Sequence, residues 1–211
     1  KEVCEKNGIL YIADEVVTAF GRLGAWFASK DVFDYQPDMI VCAKGITSGY
    51  IPLGATLISD EIYEVISRPQ CEGGVFSMGL TYFGHPVACA AALENIAIME
   101  RENLLANAAA SGAHLQKAAK ALSSLEIVGD VRGHGLMLGV DLVSDKRTKT
   151  PMPVAANAAE RIFSGCVDRG VIVRPVGSRI VVSPPLVIST AQCDQIVSAM
   201  AGAIQEFQAV R

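Results

Sequence analysis

Three short apolar runs without polar alternation stand near the start of the chain: ILYIA at 9–13, MIVCA at 39–43 and GATLI at 54–58. Runs of that length and pattern suit strands covered on both faces, as in α/β sheets. Only residues 44–53 separate the second run from the third. That is shorter than a parallel crossover, so this pair is expected to be antiparallel. The link between the first two runs holds Gly21, Gly24 and Pro37 and is expected to be mostly irregular. Ahead of the first run, KEVCEKNG reads as the last turns of a helix closed by Gly8.

From Pro86 the pattern changes to a helical period. HPVACAAALENIAIMEREN has its proline at the first helical position and predicts a helix to about residue 99. A second helix is expected over 101–122, with a stripe of Leu104, Leu105, Ala108, Leu115, Ala118, Ala119 and Leu122. EIVGDVRG and GLMLGVDLV then read as strands, and residues 153–169 as helix. GVIVRPVGSRIVVSPPLVI predicts two short strands turning at Gly177 and Ser178, and a last helix starts at a Ser189 or Thr190 cap. The expected fold is α/β: residues 1–95 as part of a large α/β domain, and 96–211 as a smaller C-terminal α+β domain.

Composition narrows the function classes. Of 211 residues, 51% are hydrophobic and 19% charged, which builds a core rather than a disordered chain. A net charge of −4 argues against a nucleic-acid partner, which calls for a basic face. No stretch approaches the roughly 18 apolar residues of a membrane span, and no basic segment followed by an apolar run opens the chain. Cys4, Cys42, Cys71, Cys89, Cys166 and Cys193 are scattered, without a Cys-x-x-Cys pair. They read as buried reduced thiols of a cytoplasmic protein. The chain opens inside a helix and without a methionine, so the front part of a longer protein is expected ahead of Lys1.

Two ionisable residues follow apolar runs directly: Asp14 after ILYIA and Lys44 after MIVCA. Ligands of open α/β sheets bind outside the carboxyl ends of the strands, which makes the two candidates for one pocket; the plain alternative is an Asp–Lys ion pair. The loop GITSGYIPLGA, with three glycines and three hydroxyl residues, tilts the balance toward a ligand approached closely by backbone. A lysine amine in a dry pocket forms Schiff bases with carbonyl compounds.

IADEVVTAFGRLGAWFAS, QPDMIVCAKGITSGYIPLGATLIS and GLTYFGHPVACAAALENI, followed by VRGHGLMLGVDL and GVIVRPVGSRIVVSPPL, closely resemble the class III, or ω-, aminotransferases. These are pyridoxal-phosphate (PLP) enzymes of fold type I. The resemblance runs over nearly the whole chain, and the motifs keep their order. It implies part of the fold type I large domain, a mainly parallel mixed sheet, followed by the small domain.

The resemblance also implies roles. Lys44 matches the lysine that holds the cofactor as a Schiff base and then acts as general base. Asp14 matches the carboxylate under the pyridine nitrogen, which keeps that nitrogen charged. Val16, placed on the side of Asp14 by strand alternation, matches the residue against the ring face, while Glu15 points the other way. Thr81 matches a threonine that reaches the cofactor phosphate of a second subunit, which implies a homodimer or a dimer of dimers. Arg174 matches an arginine that binds a substrate carboxylate, a task suited to its planar fork. Trp26 and Tyr50 either line a substrate channel or pack in the core or at its rim. His85 is expected to support the Thr81 loop. Arg22 is either part of the pocket or a structural ion-pair partner. Ala19 and Leu23 depart from the family's usual glycine and threonine. The phosphate loop and the ring-stacking aromatic residue belong to the upstream segment. The expected reaction moves an amino group from an amine or ω-amino acid to a keto acid, pyruvate first among them. An aminomutase, racemase or decarboxylase of the same fold, and an inactive half serving as an interaction module, are the alternatives.

Overall fold

The computed structural model describes residues 1–69, 74 and 76–210; Cys71 lies outside them. Two units make up the chain, one of Lys1–Gly21 with Ala25–Asn103, the other of Arg22–Gly24 with Leu104–Arg211.

The first unit starts with helix α1 (Glu2–Lys6). Gly8 takes φ +63°, and the amides of Gly8 and Ile9 turn back to the carbonyls of Glu5 and Cys4 at 3.3 and 2.9 Å. This closure needs the left-handed residue that glycine supplies without strain. A three-stranded sheet follows, with β1 (Ile12–Asp14), β2 (Met39–Cys42) and β3 (Ala55–Ile58) in that order. β1 and β2 are parallel, with Asp14 opposite Val41. β2 and β3 are antiparallel, with Cys42 opposite Ala55, as the short link requires.

The strands are not covered on both faces among the described residues, contrary to the sequence expectation. Ala13, Ile40 and Cys42 are buried, but Ile12 is 55% and Leu57 43% exposed. Residue type sets the apolarity of a strand; covering its second face takes another layer of chain.

Short helix α2 (Ala28–Asp31) lies between β1 and β2. Helix α3 (Asp60–Ile66) was not distinguished by apolar period. Its signal is the cap: the Ser59 hydroxyl accepts from the Ile62 amide at 3.4 Å, with Asp60 and Glu61 in the first turn. Helix α4 (Pro86–Arg101) has Pro86 in its first turn, as expected, and buries Ala88, Ala92 and Met99.

In the second unit, helix α5 (Leu104–Ala119) runs into a 3-10 turn, Lys120–Ser124. Then come β4 (Val128–His134), β5 (Met137–Asp145), β6 (Thr150–Pro151), α6 (Ala158–Asp168), β7 (Arg174–Val176), β8 (Arg179–Val182) and α7 (Thr190–Ala209). The sheet has the order β4-β5-β8-β7 with β6 paired to β5, and every pairing is antiparallel. Leu138, Val140, Leu142, Ile180 and Val182 form one core with Leu115, Ile162, Met200, Ile204 and Phe207 of the helices. This is the expected α+β arrangement. Cys42, Cys166 and Cys193 are buried free thiols, and burial pushes Cys166 up to about 11. Among the described residues no helix is long and apolar enough to cross a membrane.

Candidate active site

Asp14 is the last residue of β1, and Lys44 stands two residues past the end of β2. Because these strands run parallel and adjacent, both residues lie at the carboxyl end of the same sheet. Among the described residues no salt bridge joins them. Both side chains are exposed, so the described residues do not supply the dry surroundings expected for the lysine. A cavity of about 1040 Å³ opens at the opposite end of the strands, beside Tyr11, Asp38 and Ser59.

Lys44 opens a 3-10 turn, Lys44–Thr47, and has φ +46°; Ser48 has φ +50°. A side chain in this region costs on the order of 1–3 kcal/mol and persists only where its surroundings over-determine it. Four contacts do so. The Thr47 hydroxyl, on a residue only 2% exposed, donates to the Ile51 carbonyl at 2.8 Å. A Cβ on Gly45 would stand 2.9 Å from the Phe20 Cβ and 3.2 Å from the Ala19 carbonyl, so only glycine fits against the loop that follows Asp14. From the α4 side, the Asn95 amide nitrogen donates to the carbonyls of Gly45 and Ile46 at 2.9 and 3.1 Å. The Ser48 hydroxyl completes the set by donating to the Asn95 amide oxygen at 2.7 Å. Sequence reasoning passed over Asn95; its signal is a polar side chain inside the apolar run AAALENIAIM.

Alternation at the end of β1 holds for one step only. Asp14 is exposed and Glu15 is 3% exposed, on the other side. The strand then stops, so alternation does not place Val16. It is half-buried in the following turn, and its amide donates to Asp14 Oδ1 at 3.0 Å. The Glu15 carboxylate accepts from the amides of Ala28 and Ser29, each at 2.7 Å, and from the Thr18 hydroxyl at 3.0 Å. Burial pushes this carboxyl up, but the hydrogen bonds from Ser29, Ala28 and Thr18 outweigh it and hold it below its ordinary value. Glu15 thereby ties the residue after Asp14 to the start of α2.

Trp26 packs edge-on to Phe20, with ring centroids 6.3 Å apart, and its carbonyl accepts from the Phe20 amide. Tyr50 is 91% exposed just after the Lys44 turn. Thr81 is exposed in a turn ahead of α4, where the Phe83 amide donates to the Leu80 carbonyl. His85 caps α4 through its backbone, and its ring lies 6.5 Å from that of Tyr82 in the Thr81 turn. Arg174 belongs to the second unit, where it begins β7 opposite Val181 and is exposed. Arg22 is not an ion-pair partner in these contacts: its guanidinium donates to the carbonyls of Leu136 and Pro184.

The class-III aminotransferase family model matches residues 1–204, and the chain belongs to that family, whose members depend on PLP. It is 42% identical over 202 residues to the putrescine–pyruvate aminotransferase of Pseudomonas aeruginosa, covering 94% of this chain and 42% of that protein. Over 203 residues it is 38% identical to gamma-aminobutyrate transaminase 1, mitochondrial, of Oryza sativa subsp. indica, covering 96% of this chain and 39% of that protein. An (S)-enantioselective omega-transaminase from Thermomicrobium roseum superposes with a TM-score of 0.91 at 46% identity, over 98% of this chain and 45% of that one. A PLP-bound amine transaminase from an uncultivated Pseudomonas species gives 0.92 at 46% identity, over 97% and 46%. The chain thus spans less than half the length of these relatives.

The donor set suits the cofactor of that family. A primary amine can take its aldehyde and a carboxylate can hold its ring nitrogen, and both stand at the carboxyl end of adjacent parallel strands.

Proposed function

We propose that the whole protein is a PLP-dependent aminotransferase that moves an amino group from an amine or ω-amino acid to a keto acid, with pyruvate as acceptor. The observation that carries this reading is the placement of Asp14 and a left-handed Lys44 at one end of a parallel strand pair, in a chain of the class III family. The names of two relatives, a putrescine–pyruvate aminotransferase and a gamma-aminobutyrate transaminase, support amine and ω-amino acid donors.

When bound, PLP supplies an aldehyde that condenses with amines and a ring that withdraws electrons from the substrate carbon. Lys44 Nζ would hold the cofactor through its aldehyde, and its free amine would serve as the general base toward the proton on the amine-bearing carbon. Asp14 holds a proton at the ring nitrogen, its carboxylate favouring the charged form. Val16 would pack on the cofactor ring, and Arg174 would be the cation for a substrate carboxylate. Tyr50 and Trp26 border the path of the substrate.

Thr81 donates to the phosphate held by a second subunit, so the working form is a homodimer or a dimer of dimers. The exposed apolar segment around Thr81 supports this: Leu80 is 65%, Tyr82 80% and Phe83 59% exposed, a composition typical of covered surfaces.

The test uses the full-length protein loaded with PLP. Borohydride reduction followed by proteolysis and mass spectrometry is expected to find the pyridoxyl label on Lys44. Pyruvate and an amine are expected to yield alanine and a carbonyl product in equal amounts. Lys44→Ala is expected to lose the label and about 10²–10⁴-fold in kcat, the range of a general base. A label on another lysine, or turnover without alanine, overturns the reading.

A further inference from the structure

We infer that Asn95 is a positioning residue for Lys44: its side-chain amide holds the Lys44–Ser48 turn in the left-handed backbone geometry that carries the lysine amine. The inference rests on the proposed role of Lys44 and adds what keeps that residue in place.

Lysine has no side-chain group that bonds back to its own backbone, the device by which Asn and Asp tolerate this region. The turn's own hydrogen bonds lie at the far end of the ordinary range: Ile46 to Ala43, Ser48 to Gly45 and Gly49 to Lys44 are each 3.2 Å, and Tyr50 to Thr47 is 3.1 Å. Asn95 fits the turn with its full complement of groups. Its nitrogen has two N–H donors and meets the carbonyls of Gly45 and Ile46 at 2.9 and 3.1 Å, with the Met99 sulfur a weaker acceptor at 3.7 Å. Its oxygen meets the one hydroxyl donor, on Ser48. A flipped amide would set oxygen against both carbonyls, so the network defines its orientation.

Asn95 is itself anchored. It lies within α4 between Ala92 and Met99, which are 6% and 2% exposed. On its other side the turn has no room to relax, because Gly45 abuts Phe20 and Ile46 is 9% exposed. Releasing Asn95 therefore frees the turn at the side of α4. A lysine amine rides on a flexible four-carbon stem, so a fixed backbone is what limits where it can react.

The experiment compares Asn95→Asp with Asn95→Ala in the full-length, PLP-loaded enzyme. Aspartate keeps the size of asparagine but faces two carbonyls with acceptors only; alanine leaves them to water. Asn95→Asp is expected to lower kcat about 10–100-fold and Asn95→Ala less, as small displacements of a reacting group do. The KM for the amino donor is expected to stay within about threefold, because ground-state binding is untouched.

Hydrogen exchange in the cofactor-free full-length protein is expected to quicken at residues 45–50, more in Asp than in Ala, with the rest of α4 unchanged. A merely space-filling role predicts the reverse order, Ala worse than Asp, and that order overturns the inference. So do wild-type kcat and exchange in Asn95→Asp. If the Asn95 variants do not fold, Ser48→Ala, which removes one bond of the three, is expected to show a smaller change in the same direction; no change there sinks the inference. The borohydride label separates the two readings. A label away from Lys44 overturns the proposed function, whereas a label on Lys44 with an indifferent Asn95→Asp overturns this inference alone.

Discussion

Asp14 and Glu15 are neighbouring carboxylates with opposite surroundings, and the contrast divides their work. Asp14 is exposed at the strand end, open to a ligand. Glu15 is buried and spends its oxygens on two amides and a hydroxyl. Strand alternation made the opposite orientation of the two legible from the sequence. The partners of Glu15 were not legible, because Ala28 and Ser29 lie across an irregular loop. Glu15→Gln is expected to destabilise the fold by about 1–3 kcal/mol at neutral pH, the worth of hydrogen bonds to a charged group. Its folded value is lowered, so its stabilisation is present above the unfolded value and lost on acidification. Denaturant titrations of the wild type should therefore lose stability from about pH 4.3 downward, and the Gln variant should lose less over the same range. Parallel pH profiles for the two proteins would contradict this assignment.

At the scale of elements, chain-local signals carried furthest where a helix has its own start signal. Of the two candidate caps, Ser189 and Thr190, it is Ser189 that caps α7 and forms a capping box: its hydroxyl accepts from the Gln192 amide at 3.2 Å, while Gln192 Oε1 accepts from the Ser189 amide at 2.9 Å. Ser189→Ala is expected to cost about 0.5–2 kcal/mol, read as a lower denaturation midpoint with an unchanged slope. What fastens the same helix start to its surroundings was not readable. Asn107 and Ser111 of α5 donate to the Ile188 carbonyl at 3.1 and 2.9 Å, from about eighty positions away in the chain. The antiparallel β2–β3 pair was readable because a short link forbids the alternative. α3 was missed because seven residues hold too little period to stand out, and only its Ser59 cap marks it.

For the molecule as a whole, the two units differ in how they are stabilised. The second buries a continuous cluster with Leu115, Leu138, Val140, Ile162, Ile180, Met200 and Ile204 at its centre. The first leaves Ile9, Leu10, Ile12, Val17 and Leu57 exposed by 43–56%. Exchange protection follows burial and packed contacts. On the 211-residue chain, amide exchange is expected to be slowest in β5 and α7 and fastest in β1 and β3; equal protection in the two sheets would refute this ordering. The sequence by itself determined the order of the main strands and long helices, though not α2, α3 or β6, together with the direction of β2 against β3, the strand-end positions of Asp14 and Lys44, and membership of a PLP-dependent family. These follow from period, link length and motif, all of which are written along the chain. Only the tertiary structure decided that Lys44 takes a left-handed backbone, that Asn95 and Phe20 grip its turn from two sides, that Glu15 accepts from Thr18, Ala28 and Ser29, and which face of each strand is covered. Each of those depends on groups brought together from distant parts of the chain. A local pattern sets what a residue prefers, and packing sets which neighbour it meets.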